Sequence, residues 1–158
     1  MNIYLIRHGD AEKAVIGKKD FDRELTVSGK TKLKNAAEQW KSVIPSFDHI
    51  ISSPLVRAMQ TAQIIGEVFG YNKEIIPDKK LSPGGKTEGV IEIANSLDGE
   101  NLAFVGHQPD LSEHLSNLLS HEEILTEFKK GAVAKISFNN KARLSKGLLE
   151  FLIPPAVF

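Results

Sequence analysis

Two short stretches constrain the fold of this chain more than anything else in it: Ile3-Tyr4-Leu5-Ile6 and Leu102-Ala103-Phe104-Val105, both strand-forming and apolar without a break. Such runs, bounded by turn residues, are what a strand buried on both faces uses. The first ends on Arg7-His8-Gly9. The second ends on Gly106-His107, with Asp98-Gly99 before it and Gln108-Pro109 after it. A fixed cation, an imidazole and a permissive glycine at the end of a buried strand point away from packing as their purpose.

The intervening sequence alternates between helical and strand periodicity. Residues 10–27 are polar and turn-rich, a long loop at the strand end that carries Arg7 and His8. Leu33, Ala36, Ala37, Trp40 and Ile44 recur at spacings of three and four, which predicts a helix from about Ser28 to Ile44. The strand FDHIISS follows. Ser53-Pro54 then reads as a helix cap with proline at the first helical position, and that helix runs through Val68 to stop at Gly70. A short strand near Glu74–Ile76, the turn-rich DKKLSPGGK and helices near Glu88–Leu97 and Asp110–Leu119 continue the alternation. AVAKISF and LLEFLIP flank a polar turn at Asn139-Asn140, and Pro154-Pro155 stops the second. Strands alternating with helices place the chain in the α/β class. The expectation is a single three-layer α/β/α domain over residues 1–158, with a mostly parallel sheet covered on both faces and a hairpin-like C-terminal pair.

Composition removes several functions. Twenty basic and twenty acidic side chains balance, so no overall field draws the chain to nucleic acid or an anionic membrane. Any anion site must be local. The absence of cysteine excludes disulfides, thiolate catalysis and cysteine-based metal sites. Met1 leads straight into a strand-like run, and no apolar stretch has the length of a membrane span, so a cytoplasmic protein is expected.

Three constellations converge on an anion. In an open α/β sheet, ligands collect at the carboxyl ends of the strands, where His8 and His107 both fall. Arg57, in SSPLVRAMQTA, sits in the first turn of a helix, where an unpaired cation opposes the helix dipole and a bound anion reverses that penalty. Two guanidinium forks, two imidazoles and the close-approach glycine Gly9 suit a phosphoryl group, which spreads charge over three oxygens; a neutral histidine held at its second nitrogen can attack phosphorus. A zinc reading of the histidines is weaker, because the arginines repel a cation and no HxH or HExxH spacing occurs.

On LIRHGDA, SSPLVRAMQTA and FVGHQP, in that order, the chain resembles the histidine phosphatase, or phosphoglycerate mutase-like, superfamily along essentially its whole length. The resemblance implies that His8 is a nucleophile that becomes phosphorylated and that Arg7, Arg57 and His107 bind the phosphoryl oxygens, with no metal and no cofactor. The short length and DFDRELTVSGK resemble the compact SixA-like phosphohistidine phosphatase branch, which lacks the helical cap insertions of mutases. In that loop Arg23 is a further candidate for phosphate binding at the pocket rim.

One position departs from the superfamily. Its mutases and small-molecule phosphatases usually carry a general-acid glutamate at a leucine-x-glutamate position, whereas this chain reads Lys80-Leu81-Ser82-Pro83-Gly84-Gly85. Asp10, Glu12, Asp22 and Glu88 are the unranked substitutes. An alkoxide leaving group needs a positioned acid, a contribution of about 10²–10⁴-fold. Phosphohistidine does not, because its imidazole accepts a proton on the other nitrogen. The expected activity is therefore metal-independent hydrolysis of phosphohistidine on a partner protein, such as a phosphotransfer or phosphorelay protein, through a phosphohistidine intermediate. A small-molecule phosphomonoesterase or mutase, and a non-catalytic phosphate-binding module, are the rivals. His49, His114 and His121 are expected at strand or helix surface, and Trp40 and the phenylalanines in the core.

Overall fold

The computed structural model describes residues 1–156. Six strands form one sheet in the order β3-β2-β4-β1-β5-β6. They are β1 (Asn2–Arg7), β2 (His49–Ser52), β3 (Ile76–Pro77), β4 (Asn101–Gly106), β5 (Val133–Ser137) and β6 (Leu148–Ile153). The first four are mutually parallel, while β5 is antiparallel to both β1 and β6. The helices are α1 (Val27–Trp40), α2 (Val56–Val68), α3 (Thr87–Ser96) and α4 (Asp110–Leu119).

The pleat of β1 builds both cores. Ile3 and Leu5 face one side, with Leu102 and Phe104 of β4, Val90 and Ala94 of α3, and Leu111, Leu115 and Leu118 of α4. Tyr4 and Ile6 face the other, with Leu33, Ala36, Ala37 and Trp40 of α1 and Ala58, Ala62 and Ile65 of α2. This is why neither run tolerates a polar residue: successive side chains point to opposite faces, and both faces are covered by helices.

Element boundaries differ from expectation where side chains are claimed elsewhere. The first helix starts one residue early, because the Thr26 hydroxyl accepts the Gly29 amide as an N-cap. It ends at Trp40, not Ile44; the chain turns there, yet Ile44 stays buried in the same core. α2 starts at Val56 rather than after Ser53, with Leu55 at its N-cap; the Ser53 hydroxyl lies ahead of the helix, where it accepts the Leu55 amide and contacts His107. β5 and β6 pair as expected, with Asn139 and Asn140 exposed in the connection.

Two surface or core assignments are corrected. His114 is buried between α3 and α4, with Nδ1 2.9 Å from Thr87 Oγ1, because it shares a helix face with Leu111 and Leu115. Phe21 is 45% exposed on the long loop, unlike Phe47, Phe104, Phe128 and Phe138, which are buried; Phe158 lies outside the described residues.

Candidate active site

The register of β1 on β4 creates the site. Asn2 pairs with Asn101 and each following residue keeps step, through Arg7 opposite Gly106. The His8 amide continues the ladder to the Gly106 carbonyl at 3.2 Å. His8 and His107 thus leave the sheet side by side, their ring centroids 5.2 Å apart. A cavity of about 400 Å³ opens there, lined by Arg7, His8, Asp20, Arg23, Arg57, His107 and Lys130, with Ala11, Pro83 and Gln108.

His8 is 8% exposed, and its tautomer is defined by its neighbours. Nδ1 lies 2.7 Å from the Gly9 carbonyl oxygen, which can only accept, so Nδ1 carries the proton. Nε2 keeps its lone pair and accepts from Arg57 Nε at 3.4 Å. Burial pushes the imidazole pKa down to about 4, helped by the charges of Arg57, Arg7 and Lys130 and opposed by the Gly9 bond. The ring is neutral at pH 7. Gly9 does not line the pocket, and its amide donates to Thr61 Oγ1 at 3.1 Å. Its part in this geometry is to orient His8, and no amide is left to offer a phosphoryl oxygen.

Ser53 fixes the second histidine. Its hydroxyl accepts the Leu55 amide at 3.3 Å, which frees its own proton for His107 Nε2 at 2.7 Å. The His107 proton then resides on Nδ1. Burial, then the charges of His8 and Arg57, push this imidazole to about 3. Among the described residues His107 Nδ1 and Arg7 Nε are buried polar atoms with no hydrogen-bond partner, and both belong to residues lining the pocket. Donors left unpaired at that depth are expensive unless a ligand uses them. Arg7 is aimed by donating Nη1 to the Phe128 carbonyl at 2.8 Å.

Arg57 is 5% exposed in the first turn of α2. Thr61, one turn on, donates to the Arg57 carbonyl at 2.8 Å while accepting from Gly9, which clamps α2 to the end of β1. Arg23 reaches the pocket from the loop and pairs with Asp20 at 2.7 Å. That loop is pinned at its base by Ala11 bridging Leu25 and by the Thr26 amide on the Asp10 carbonyl.

None of the four substitute acids lines the cavity. Asp10 is paired with Lys130 at 2.9 Å and Glu12 with Lys18 at 2.6 Å, while Asp22 and Glu88 are exposed. Pro83 stands two residues past Leu81, where the superfamily glutamate is expected, and contributes an apolar ring to the lining. Asp20, which sequence reasoning missed, is the carboxylate in the pocket. Ser53 and Thr61 were also missed, although both lie inside SSPLVRAMQTA; their signal was a hydroxyl at the strand end and another one turn past Arg57.

The family model described as "Histidine phosphatase superfamily (branch 1)" matches residues 3–115, and the chain belongs to that superfamily. The phosphohistidine phosphatase SixA homolog of Haemophilus influenzae is 30% identical over 156 residues, covering 91% of this chain and 93% of that protein. SixA of Escherichia coli is 28% identical over 144 residues, covering 88% of this chain and 86% of its own. The solved structure of the protein histidine phosphatase SixA complexed with tungstate shares the fold, with a TM-score of 0.83 at 20% identity over 98% of this chain and 97% of that one. Within the superfamily the chain stands in the SixA-like branch and is a phosphatase. Consistent with that compact form, the connections at the pocket end carry only two short 3-10 turns among the described residues, Asp20–Asp22 and Lys79–Leu81.

Proposed function

We propose that this protein hydrolyses phosphohistidine on a partner protein, without a metal ion, through a phosphohistidine intermediate on His8. The carrying observation is the His8 tautomer: Nδ1 tied to the Gly9 carbonyl at 2.7 Å and the Nε2 lone pair facing Arg57. A neutral imidazole so held is a nucleophile at pH 7. His8 Nε2 attacks phosphorus, the substrate P–N bond breaks, and its electron pair goes to the leaving ring nitrogen. Arg57 and Arg7 receive the phosphoryl oxygens, with His107 Nδ1–H as a further donor and Arg23 at the rim. These fixed cations supply the charge compensation that a metal would otherwise provide. Water then cleaves the phosphoryl group from His8.

Two features support a protein-borne substrate. Two relatives, covering 91% and 88% of this chain, are named for phosphohistidine, and Pro83 leaves the usual glutamate position without a proton to give. No helix among the described residues is long and apolar enough to cross a membrane.

The test is a substrate panel of a phosphohistidine protein, p-nitrophenyl phosphate and a sugar phosphate, with and without chelator, followed by rapid alkaline quench. Phosphohistidine should turn over fastest, unaffected by chelator, leaving an acid-labile phosphoryl group that His8→Ala abolishes. Label that persists in His8→Ala, or turnover lost to chelator, sinks the mechanism.

A further inference from the structure

Asp20 holds its place by bonds that no helix cap or core contact requires. Its Oδ1 takes Arg23 Nε at 2.9 Å and Nη2 at 2.7 Å. Its Oδ2 lies 3.3 Å from Arg57 Nη2, and its backbone carbonyl accepts Arg57 Nη1 at 2.9 Å. The same guanidinium donates Nε–H to His8 Nε2. A single guanidinium thus separates the carboxylate from the attacking nitrogen. The side chain of Asp20 is 59% exposed while His8 is 8% exposed, so the carboxylate stands at the mouth and the nucleophile on the floor.

Displacement at phosphorus is roughly in line, so the leaving group departs opposite His8, towards the mouth. An arriving phosphoryl group competes with Asp20 Oδ2 for Arg57 Nη2. Arg23 keeps Oδ1 by two bonds, and the carboxylate stays beside the departing group. We propose that Asp20 determines leaving-group specificity: its ionised carboxylate accepts a hydrogen bond from the protonated second ring nitrogen of the departing phosphohistidine side chain.

This assignment rests on the phosphohistidine reading above. As the P–N bond breaks, its electron pair returns to one ring nitrogen; the proton already on the other stays there, held towards Asp20, and neutral histidine leaves. No proton passes from Asp20. An alkoxide gains nothing from such a neighbour, because an ionised carboxylate accepts and cannot donate. Partial burial pushes the Asp20 carboxyl up, but the bonds and charges of Arg23 and Arg57 outweigh it and hold the group below the usual carboxylate range. The other charged or titratable groups lining this cavity are Arg7 at the end of β1, His8 just after it, His107 after β4, and Lys130 before β5.

The test compares kcat/KM of wild type, Asp20→Asn and Asp20→Glu on a phosphoramidate-phosphorylated histidine protein and on p-nitrophenyl phosphate, across pH. Asp20→Asn should lower the ratio of phosphohistidine to aryl phosphate activity about tenfold or more. It should also move the alkaline limb of the phosphohistidine profile about one unit towards acid, as the protonated ring of the bound phosphohistidine loses its charged acceptor. Asp20→Glu should recover part of the ratio. Equal losses on both substrates, or an unmoved limb, overturn the assignment and leave Asp20 as a strut for the arginines. A wild-type enzyme that cleaves p-nitrophenyl phosphate but not phosphohistidine defeats the underlying reading instead, and this assignment with it.

Discussion

Lowering the pH from 7 to 5 should cost this protein a large part of its stability, and the two pocket histidines set the amount. In the unfolded chain each titrates near 6.5, whereas burial and neighbouring cations hold His8 at about 4 and His107 at about 3 in the fold. Native values below unfolded ones mean that the unfolded state binds more protons between those limits. Stability is therefore fully present above about pH 6.5 and lost as pH falls towards 4. At pH 5 an unfolded imidazole is almost fully protonated and the native ones almost not at all, which amounts to about 2 kcal/mol for each, or about 4 kcal/mol together. His114, also buried and shifted down, acts in the same direction. Against a typical total of about 5–15 kcal/mol such a loss is decisive. The carboxylates held low, such as Asp10, Asp48 and Glu150, make their own losses mainly at more acid pH. Urea denaturation at the two pH values, with the slope checked for constancy, measures the difference. His8→Gln/His107→Gln should flatten most of it. A wild-type loss below about 1 kcal/mol would refute the claim that these imidazoles are neutral because they are buried.

The same shift places the acid limb of kcat/KM near pH 4 rather than near 6.5, since His8 must lose its proton to attack; a limb at the ordinary histidine value in an aryl phosphate profile contradicts the burial argument. Arg57→Lys keeps the charge but cannot bond His8 Nε2 and two Asp20 oxygens at once, so kcat/KM should fall about 10²-fold or more by steady-state assay. Thr61→Val leaves the buried Gly9 amide without an acceptor, costing about 1–3 kcal/mol in denaturant titration, and Thr61→Ser should restore it. Gly29→Ala drives a Cβ into the Asp10 carbonyl oxygen; the loop carrying Asp20 and Arg23 must shift, lowering thermal stability by an overpacking cost of about 1–3 kcal/mol and kcat/KM with it.

The apolar runs by themselves determined that β1 and β4 lie in the middle of a parallel sheet, since a strand with no polar residue can only be covered on both faces. They also determined that His8 and His107 emerge at its rim, because the residue after a strand's last pair leaves at its carboxyl end. Arg57 was legible for a similar local reason, a cation in the wrong turn of a helix. Asp20 was not. It lies in a polar loop among Lys19, Asp22 and Glu24, and only closure of that loop over α2 separates it from its neighbours. Nor could the sequence say that the Ser53 hydroxyl would reach His107, or that Gly9 would orient an imidazole. Those choices depend on the register of β1 against β4 and on α2 packing beside β1, contacts 49 to 54 residues apart along the chain. Hydrophobic periodicity is a property of neighbours and can be read in one dimension. The protonation state of a histidine depends on which atoms exclude water from it, and that is decided only when distant segments meet.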